Sequence, residues 1–174
     1  MDLTKLQASL EHQHRAPVEK WDPPFCGDID IRIAADGQWF YMNSPIGRIA
    51  LVKLFASVLK QENDEFFLVT PAEKVRIKVD DLPFVITTWQ KVTQDSVSFV
   101  QVTTNVGERY LLSEHHPLVL DKELPAVVVR DNLRARVHRN VYYQWAEIAE
   151  NSEAGEAAGF YLCSGGKRFL LAPA

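Results

Sequence analysis

The sequence predicts an α+β protein with mostly antiparallel sheets, in which a central β-meander joins two similar strand–helix–hairpin motifs. Many short runs alternate apolar with polar residues, which is the period of a strand with one buried face. Two stretches instead have helical spacing, over about residues 45–61 and 137–150. Aromatic strands follow both of them. These observations predict an internal structural repeat that matches residues 31–79 with residues 127–171.

The chain begins with a predicted helix and a proline-rich arm. Leu3, Leu6 and Leu10 have the spacing of a short amphipathic helix, which Pro17 ends. These elements expose apolar residues that a monomer leaves uncovered, so the sequence favours a homodimer. The segments expected along the chain are this helix and arm (1–27), the first motif (28–82), the central antiparallel meander (83–125) and the second motif (126–174).

The first motif consists of two strands, a helix and a hairpin. The Asp36-Gly37 pair predicts a tight turn between the two strands. Ser44 is expected to cap the helix, because its hydroxyl can accept a hydrogen bond from the free amides of a first turn. Pro45 suits the first helical position, where its missing N–H has no cost. Gly47 lowers helix stability by about 1 kcal/mol relative to alanine, so close packing or a bound group is expected against it.

The rest of the chain is predicted to be a meander followed by a second copy of this plan. Residues 84–130 favour successive antiparallel strands with short turns rather than parallel units. Val141 and Trp145 then lie on one face of the second predicted helix. A loop of small residues and a turn at Gly165-Gly166 lead into the last two strands.

Bulk properties limit the class of function. The 174 residues suit one domain or two small ones, and 47% of them are hydrophobic, enough for a core. A net charge of −4 argues against non-specific nucleic-acid binding, which needs a basic surface. No run approaches the ~20 apolar residues that span a bilayer, and the N-terminus lacks the pattern of a secretory signal. Cys26 and Cys163 are too few for a disulfide framework or a zinc site. A cytoplasmic protein is expected.

The most specific part of the sequence pattern runs over residues 44–74. It opens with Ser44-Pro45-Ile46-Gly47-Arg48. Further stretches of the same pattern are residues 24–33, 36–39, 51–59, 68–71, 73–74, 104–106, 116–118, 129–130 and 141–143. With these residues the chain resembles a bacterial family known as domain of unknown function 1285, over about residues 24–145. It departs from the family's usual pattern at Ala72, where valine is common.

The resemblance implies a fold of its own with repeated α+β motifs, and it implies a role in signal transduction. It carries over no catalytic residue. The implied repeat agrees with the repeat predicted from hydrophobic spacing, which does not depend on the resemblance.

Residue types that can carry catalysis are present without the spacing that catalysis needs. His115 and His116 are adjacent and would face opposite sides of a strand, so they cannot easily share a metal. Cys26 has no histidine nearby in sequence, and a buried inert thiol is expected there. The carboxylates show no pair with the spacing of a general acid and base. The sequence therefore predicts no catalytic residue, no cofactor and no metal ligand.

The basic residues instead indicate a site for an anion. Arg48 and Arg139 are each expected in the first turn of a helix, where the helix dipole disfavours a cation. A bound anion would resolve this conflict, because free amides and guanidinium groups would bind it together. The alternative is that these cations pair with the many acidic side chains of the chain. The predicted ligand-binding residues are Arg48, Arg139 and Arg130, with Lys74 or Arg134 at the rim.

The expected function is a non-enzymatic cytoplasmic binding or regulatory module that recognises a small anionic ligand or a protein partner. One alternative is a hydrolase acting on a phosphorylated metabolite, which would have a cleft with a polar residue of perturbed pKa. Another is a structural adaptor, which would expose an apolar patch larger than a few hundred Å².

Overall fold

The computed structural model describes residues 17–174. The chain divides into two compact units, Met1–Asp81 and Leu82–Ala174. The helix predicted over residues 3–10 lies outside the described residues. The proline-rich arm is described from Pro17 onward, where Trp21 is half-buried and Phe25 is 46% exposed, and the homodimer stays a prediction. A 3₁₀ turn at Val18–Lys20 begins the described part of the first unit.

The first unit contains one six-stranded sheet. Its strands lie in the order β3-β2-β1-β6-β5-β4. All neighbours are antiparallel except β1 and β6, which are parallel. The sheet is therefore two antiparallel meanders joined by the first and the last strand. The bounds are β1 (Phe25–Ile33), β2 (Trp39–Tyr41), β3 (Ser44–Pro45), α1 (Ile49–Ala56), β4 (Leu59–Glu62), β5 (Glu65–Val69) and β6 (Lys74–Val79).

The second unit contains a sheet of the same plan and a smaller one. The larger sheet has the order β10-β11-β12-β7-β8-β9, and β12 and β7 are its parallel pair. A separate three-stranded sheet has the order β13-β14-β15. The bounds are β7 (Phe84–Gln94), β8 (Val97–Thr104), β9 (Arg109–Leu111), β10 (Leu118–Asp121), β11 (Leu124–Arg130), β12 (Leu133–Val137), α2 (Arg139–Ile148), β13 (Glu150–Asn151), β14 (Gly159–Ser164) and β15 (Lys167–Pro173).

The predicted α+β class, with mostly antiparallel strands and two similar parts, is confirmed, but the repeated sheet plan has other boundaries. The same strand order spans residues 25–79 and 84–137, instead of residues 31–79 and 127–171. In the last stretch, β13 to β15 follow a helix as β4 to β6 do, yet they remain in a sheet of their own. The sequence match compared local patterns, and the pairing of distant strands leaves no local pattern.

Each unit buries large aromatic side chains in its core. In the first unit, Trp39 stacks on Phe55 of α1 with ring centroids 6.4 Å apart. In the second unit, Trp145 of α2 meets the edge of Trp89 at 6.2 Å. The indole N–H groups of Trp39 and Trp145 are buried and have no hydrogen-bond partner. Burial of these two large rings offsets that cost.

Helix α1 is shorter than predicted at both ends. Ser44 and Pro45 form an edge strand on β2 rather than the start of the helix, and Arg48 is the N-cap residue. The reason is a turn at Met42 and Asn43, both with positive φ, which sends the chain back along β2. Methionine is not a usual residue for such a turn, so the turn could not be predicted from the sequence.

The close packing expected at Gly47 and the predicted end of α1 are also wrong, whereas a bound group at Gly47 stays a prediction. A Cβ atom built on Gly47 would meet no atom within 4 Å, so this glycine is not required for close packing. The helix ends at Ala56, and β4 occupies the stretch that was assigned to its last turn. The second helix agrees better, since α2 lies inside the predicted range. No α-helix among residues 17–174 is both long and apolar enough to cross a membrane.

The two helix starts can be compared by mutation. No side chain caps α1, whereas His138 Nδ1 accepts a hydrogen bond of 3.1 Å from the Asn140 amide at the start of α2. Ser44→Ala is therefore expected to change the free energy of unfolding by less than about 0.5 kcal/mol. His138→Ala is expected to lower it by on the order of 1 kcal/mol. Urea unfolding of both variants measures these free energies. An equal loss of stability in the two variants would indicate that Ser44 caps α1.

Candidate functional site

Two of the five predicted anion-binding residues belong to the first unit. Arg48 is exposed at the N-cap of α1 and forms no ion pair with a described residue. Lys74, at the start of β6, is engaged. Its Nζ lies 2.9 Å from a Glu62 carboxylate oxygen and 4.9 Å from the centroid of the Phe67 ring. A ligand at Lys74 would have to compete with both contacts.

The other three belong to the second unit and differ in their surroundings. Arg134 lies 3.1 Å from the Asp121 carboxylate, and the Arg130 guanidinium lies 5.6 Å from the centroid of the Phe84 ring. Arg139 is exposed as the first residue of α2 and has no ion pair among the described residues. The arginine-rich stretch is thus divided among different neighbours, and anion binding by these residues stays a prediction.

A set of ion pairs that sequence reasoning missed lies on the first sheet, and we call it the ion-pair ladder. Arg76 of β6 contacts Asp28 of β1 at 2.7 Å and Glu65 of β5 at 3.1 Å. Arg32 contacts Asp80 at 2.5 Å. Both arginines also lie over aromatic rings, those of Phe25 and Phe40. The parallel pairing of β1 with β6 places Asp28 beside Arg76 and brings Arg32 to Asp80 at the end of β6. Glu65 comes from β5, the antiparallel neighbour of β6.

A surface depression of about 520 Å³ adjoins the ladder where β1 and β6 lose register. Its charged lining residues are Asp28, Asp30, Arg76 and Lys78. The hydrogen bond from Arg76 lowers the pKa of Asp28, and the same bond raises the pKa of Arg76. Both shifts favour the charged forms. General acid and base catalysis near neutral pH needs shifts in the opposite direction, so this depression suits ionic contacts rather than proton transfer.

A second ionic cluster organises the end of the chain around Arg168 of β15. Its guanidinium group contacts Glu156 at 3.0 Å and Glu150 at 3.2 Å, and it donates to the Asn151 carbonyl at 2.9 Å. It also lies 5.2 Å from the centroid of the Tyr161 ring. Arg168 therefore ties β13 and the loop that follows it to β15.

The two cysteines are both exposed, which corrects the expected burial of Cys26. Cys26 donates its thiol hydrogen to the Pro24 carbonyl at 3.3 Å. The Cys163 thiol donates to Glu150 at 2.6 Å. Desolvation of the sulfur and the adjacent Glu150 carboxylate raise the pKa of Cys163. Because the thiolate is the nucleophile, this shift makes Cys163 unreactive near neutral pH.

Comparison with known proteins identifies the family. Residues 16–82 match the N-terminal domain of the family described as domain of unknown function, DUF1285, and residues 83–171 match its C-terminal domain. The chain belongs to the DUF1285 family. The resemblance drawn from the sequence is therefore confirmed, and the border between the two matched domains falls beside the border between the two units. No curated protein matches the chain.

Two crystal structures of DUF1285 proteins are similar to this chain. One is from Silicibacter pomeroyi DSS-3, with 40% sequence identity and a TM-score of 0.87 over 99% of this chain and 96% of that one. The other is from Shewanella baltica OS155, with 28% identity and a TM-score of 0.56 over 67% of this chain and 90% of that one. Both are described only as DUF1285 family proteins, so they support the fold without indicating an activity.

The Arg168 cluster has a measurable pH dependence. Hydrogen bonds from Arg168 lower the pKa of Glu156 below its ordinary value of 4.5. A carboxylate with a lowered folded-state pKa stabilises the fold above its unfolded pKa, and this contribution is lost as pH falls through the folded value. Arg168→Gln should therefore raise the pKa of Glu156 towards 4.5. Carbon NMR titration of the Glu156 carboxyl measures this shift. Lys167→Gln is the control, and equal titration curves in both variants would contradict the assignment.

Proposed function

We infer that this protein is a binding and regulatory module without catalytic activity, and that it recognises an acidic segment of a partner protein. The proposed surface is the stretch from Met42 to Ala50, which we call the α1 ledge. The observation that carries the proposal is an exposed arginine between two exposed apolar side chains. Met42 is 64% exposed and Ile49 is 55% exposed, and Arg48 precedes Ile49 directly.

The start of α1 supports binding of a carboxylate at this ledge. The first amides of a helix have no partners within the helix and carry the positive end of its dipole. In α1 the Leu51 amide already donates to the Arg48 carbonyl, and no described side chain caps the amides of Ile49 and Ala50. Arg48 adds a full positive charge beside them. A carboxylate docked here would accept hydrogen bonds from the backbone and from the guanidinium group together.

The open shape of the ledge favours a protein segment over a small metabolite. Every residue from Met42 to Ala50 is exposed except the half-buried Ile46. Small ligands bind in concave clefts that bury most of their surface. An extended segment with both acidic and apolar side chains can instead contact Arg48, Met42 and Ile49 at once. A Cβ atom added to Gly47 would meet no described atom within 4 Å, which leaves room for the backbone of such a segment.

The same proposal includes a role in signal transduction, as the family resemblance implies, and a cytoplasmic setting. Both thiols are exposed and free, which fits a compartment that keeps cysteines reduced. A regulatory role would follow if the acidic segment belongs to a protein whose availability changes with a signal. Peptide binding at the α1 ledge depends neither on the signalling role nor on the cytoplasmic setting.

The test uses a synthetic peptide of alternating glutamate and leucine, with inorganic phosphate as a second probe, in titration calorimetry. Wild-type protein should bind the peptide, and added salt should weaken binding because exposed charges are screened over ~10 Å at 0.1 M. Arg48→Ala should weaken peptide binding by about tenfold, which corresponds to ~1.4 kcal/mol. This is the size expected when one hydrogen-bonded charge pair is lost.

Lys53→Ala is the matched control. Lys53 is an exposed cation on the same helix with no ion pair among the described residues, so its removal changes the net charge equally. The peptide affinity of this variant should stay near the wild-type value. Failure of the wild-type protein to bind, or an equal loss in both variants, would refute the ledge. Binding of phosphate alone, lost in Arg48→Ala, would favour a small anion over a partner protein.

A further inference from the structure

The hairpin of β7 and β8 extends beyond the strands that flank it in the six-stranded sheet. Along this extension, no described strand pairs with one of its two edges. Strand β12 pairs with β7 only at Phe84, Val85 and Ile86. Among residues 17–174, no strand pairs with the outer side of β7 over residues 89–94. The outer edge of β8 differs, because Val100 and Ser98 there accept backbone hydrogen bonds from Leu112 and Gly165.

The turn of the hairpin determines which backbone groups point outward. Asp95 and Ser96 both have positive φ, as in a two-residue type I′ turn, and Gln94 pairs with Val97 across it. In such a hairpin, Gln94, Val92 and Gln90 exchange hydrogen bonds with β8, and Lys91 and Thr93 direct their N–H and C=O groups outward.

The contacts of β8 agree with this assignment. Val100, the partner of Lys91, sends its N–H to the Ser164 hydroxyl and its C=O to the Leu112 amide, both away from β7. The outward groups of β7 thus form a free edge. Such an edge is a ready template for another strand.

We propose that a second copy of this chain occupies this edge, so that two β7 strands pair antiparallel about a two-fold axis at Val92. Val92 then lies opposite Val92 of the second copy, in a pair without mutual hydrogen bonds. Lys91 lies opposite Thr93 of the second copy and exchanges backbone hydrogen bonds with it. Gln90 lies opposite Gln94. This pairing joins the six-stranded sheet of one copy to that of the second copy in one continuous sheet.

Charge selects this register among the neighbouring ones. The backbone N–H and C=O groups that point outward from one β7 must face those of the other β7. The two-fold axis can therefore lie only at positions that keep these groups face to face. A centre at Lys91 would place two ammonium groups directly opposite, which is destabilising. A centre at Gln90 would bring the second copy's turn against Ile86, whose carbonyl already accepts from the His138 amide. With the centre at Val92, each Lys91 is the diagonal neighbour of Asp95 and of Lys91 of the second copy, so two attractive contacts outweigh one repulsive contact. A centre at Thr93 would leave Thr93 as the single pair of outward groups, because Asp95 already lies in the turn.

The same features favour a second copy over an unrelated strand. The edge is self-complementary, because one hairpin supplies both Lys91 of β7 and the oppositely charged Asp95 of its turn. A two-fold pairing also closes on itself, since each copy uses its only β7 edge. Pairing would also add backbone hydrogen bonds to the outer part of the hairpin, where Lys91, Thr93 and Gln94 are exposed. Lys91 and Asp95 form no ion pair with another residue of the described range 17–174 that would compete.

Disulfide trapping tests the register. In full-length protein carrying Cys26→Ser and Cys163→Ser, Val92→Cys places two thiols in one pair whose Cα atoms are about 4.5 Å apart. This distance lies within the range of disulfides. The variant should form a covalent dimer on mild oxidation. Lys91→Cys is the matched control, since its two copies would be diagonal neighbours about 7–8 Å apart, and it should stay monomeric on denaturing gels. Cross-linking in both variants, or in neither, would overturn the proposal.

Sedimentation equilibrium tests the association itself. The wild-type chain should show a reversible monomer–dimer equilibrium at micromolar concentration. Lys91→Glu should raise the dimer dissociation constant by about tenfold, because two attractive diagonal contacts become repulsive. Lys53→Glu makes the same charge change in α1, outside the hairpin of β7 and β8, and should leave the dissociation constant unchanged. A wild-type protein that is monomeric at all concentrations, or an equal effect of both variants, would refute pairing through β7.

Discussion

The parallel pairing between the first and last strand of each six-stranded sheet is the interaction on which this structure depends. Without it, each sheet would be two separate three-stranded meanders, each with two open edges. The pair β1 and β6 joins residues almost fifty positions apart, such as Asp28 and Arg76. Forming this contact requires closure of a long loop, whose entropy must be recovered by burial of the joined sheet. The core aromatic residues of each unit provide that burial.

The length of the parallel pairing differs between the two sheets, and this difference determines their exposed features. In the first sheet, β6 follows β1 from Phe25 to Ile33, with shifts of register that open the charged depression. In the second sheet, β12 accompanies β7 for only three residues before the chain turns into α2. Among residues 17–174, no strand therefore pairs with the outer side of β7 over residues 89–94. The same strand order thus produces a charged depression between β1 and β6 in the first sheet. In the second sheet it leaves a backbone edge along β7 that no described strand covers.

The acidic balance of the chain also controls which cations remain available. Arg76, Lys74 and Arg168 are each held by carboxylates, and all three lie near an aromatic ring. These contacts stabilise local structure and favour the charged state of both partners. Arg48 differs because it follows an edge strand and precedes a helix, with no acidic strand beside it. The fold therefore distinguishes cations that carboxylates hold from Arg48, which forms no ion pair with a described residue.

The sequence by itself determined the α+β class, most of the antiparallel strands, the position of α2 and the DUF1285 family, because these depend on spacing along the chain. It could not determine where α1 begins, since Ser44 and Pro45 suit a helix start locally and the turn at Met42 sends them into a strand instead. Only the tertiary structure decided the boundaries of the repeat, the ion-pair ladder and the free edge of β7. These features arise from pairing between distant strands, which hydrophobic periodicity does not encode.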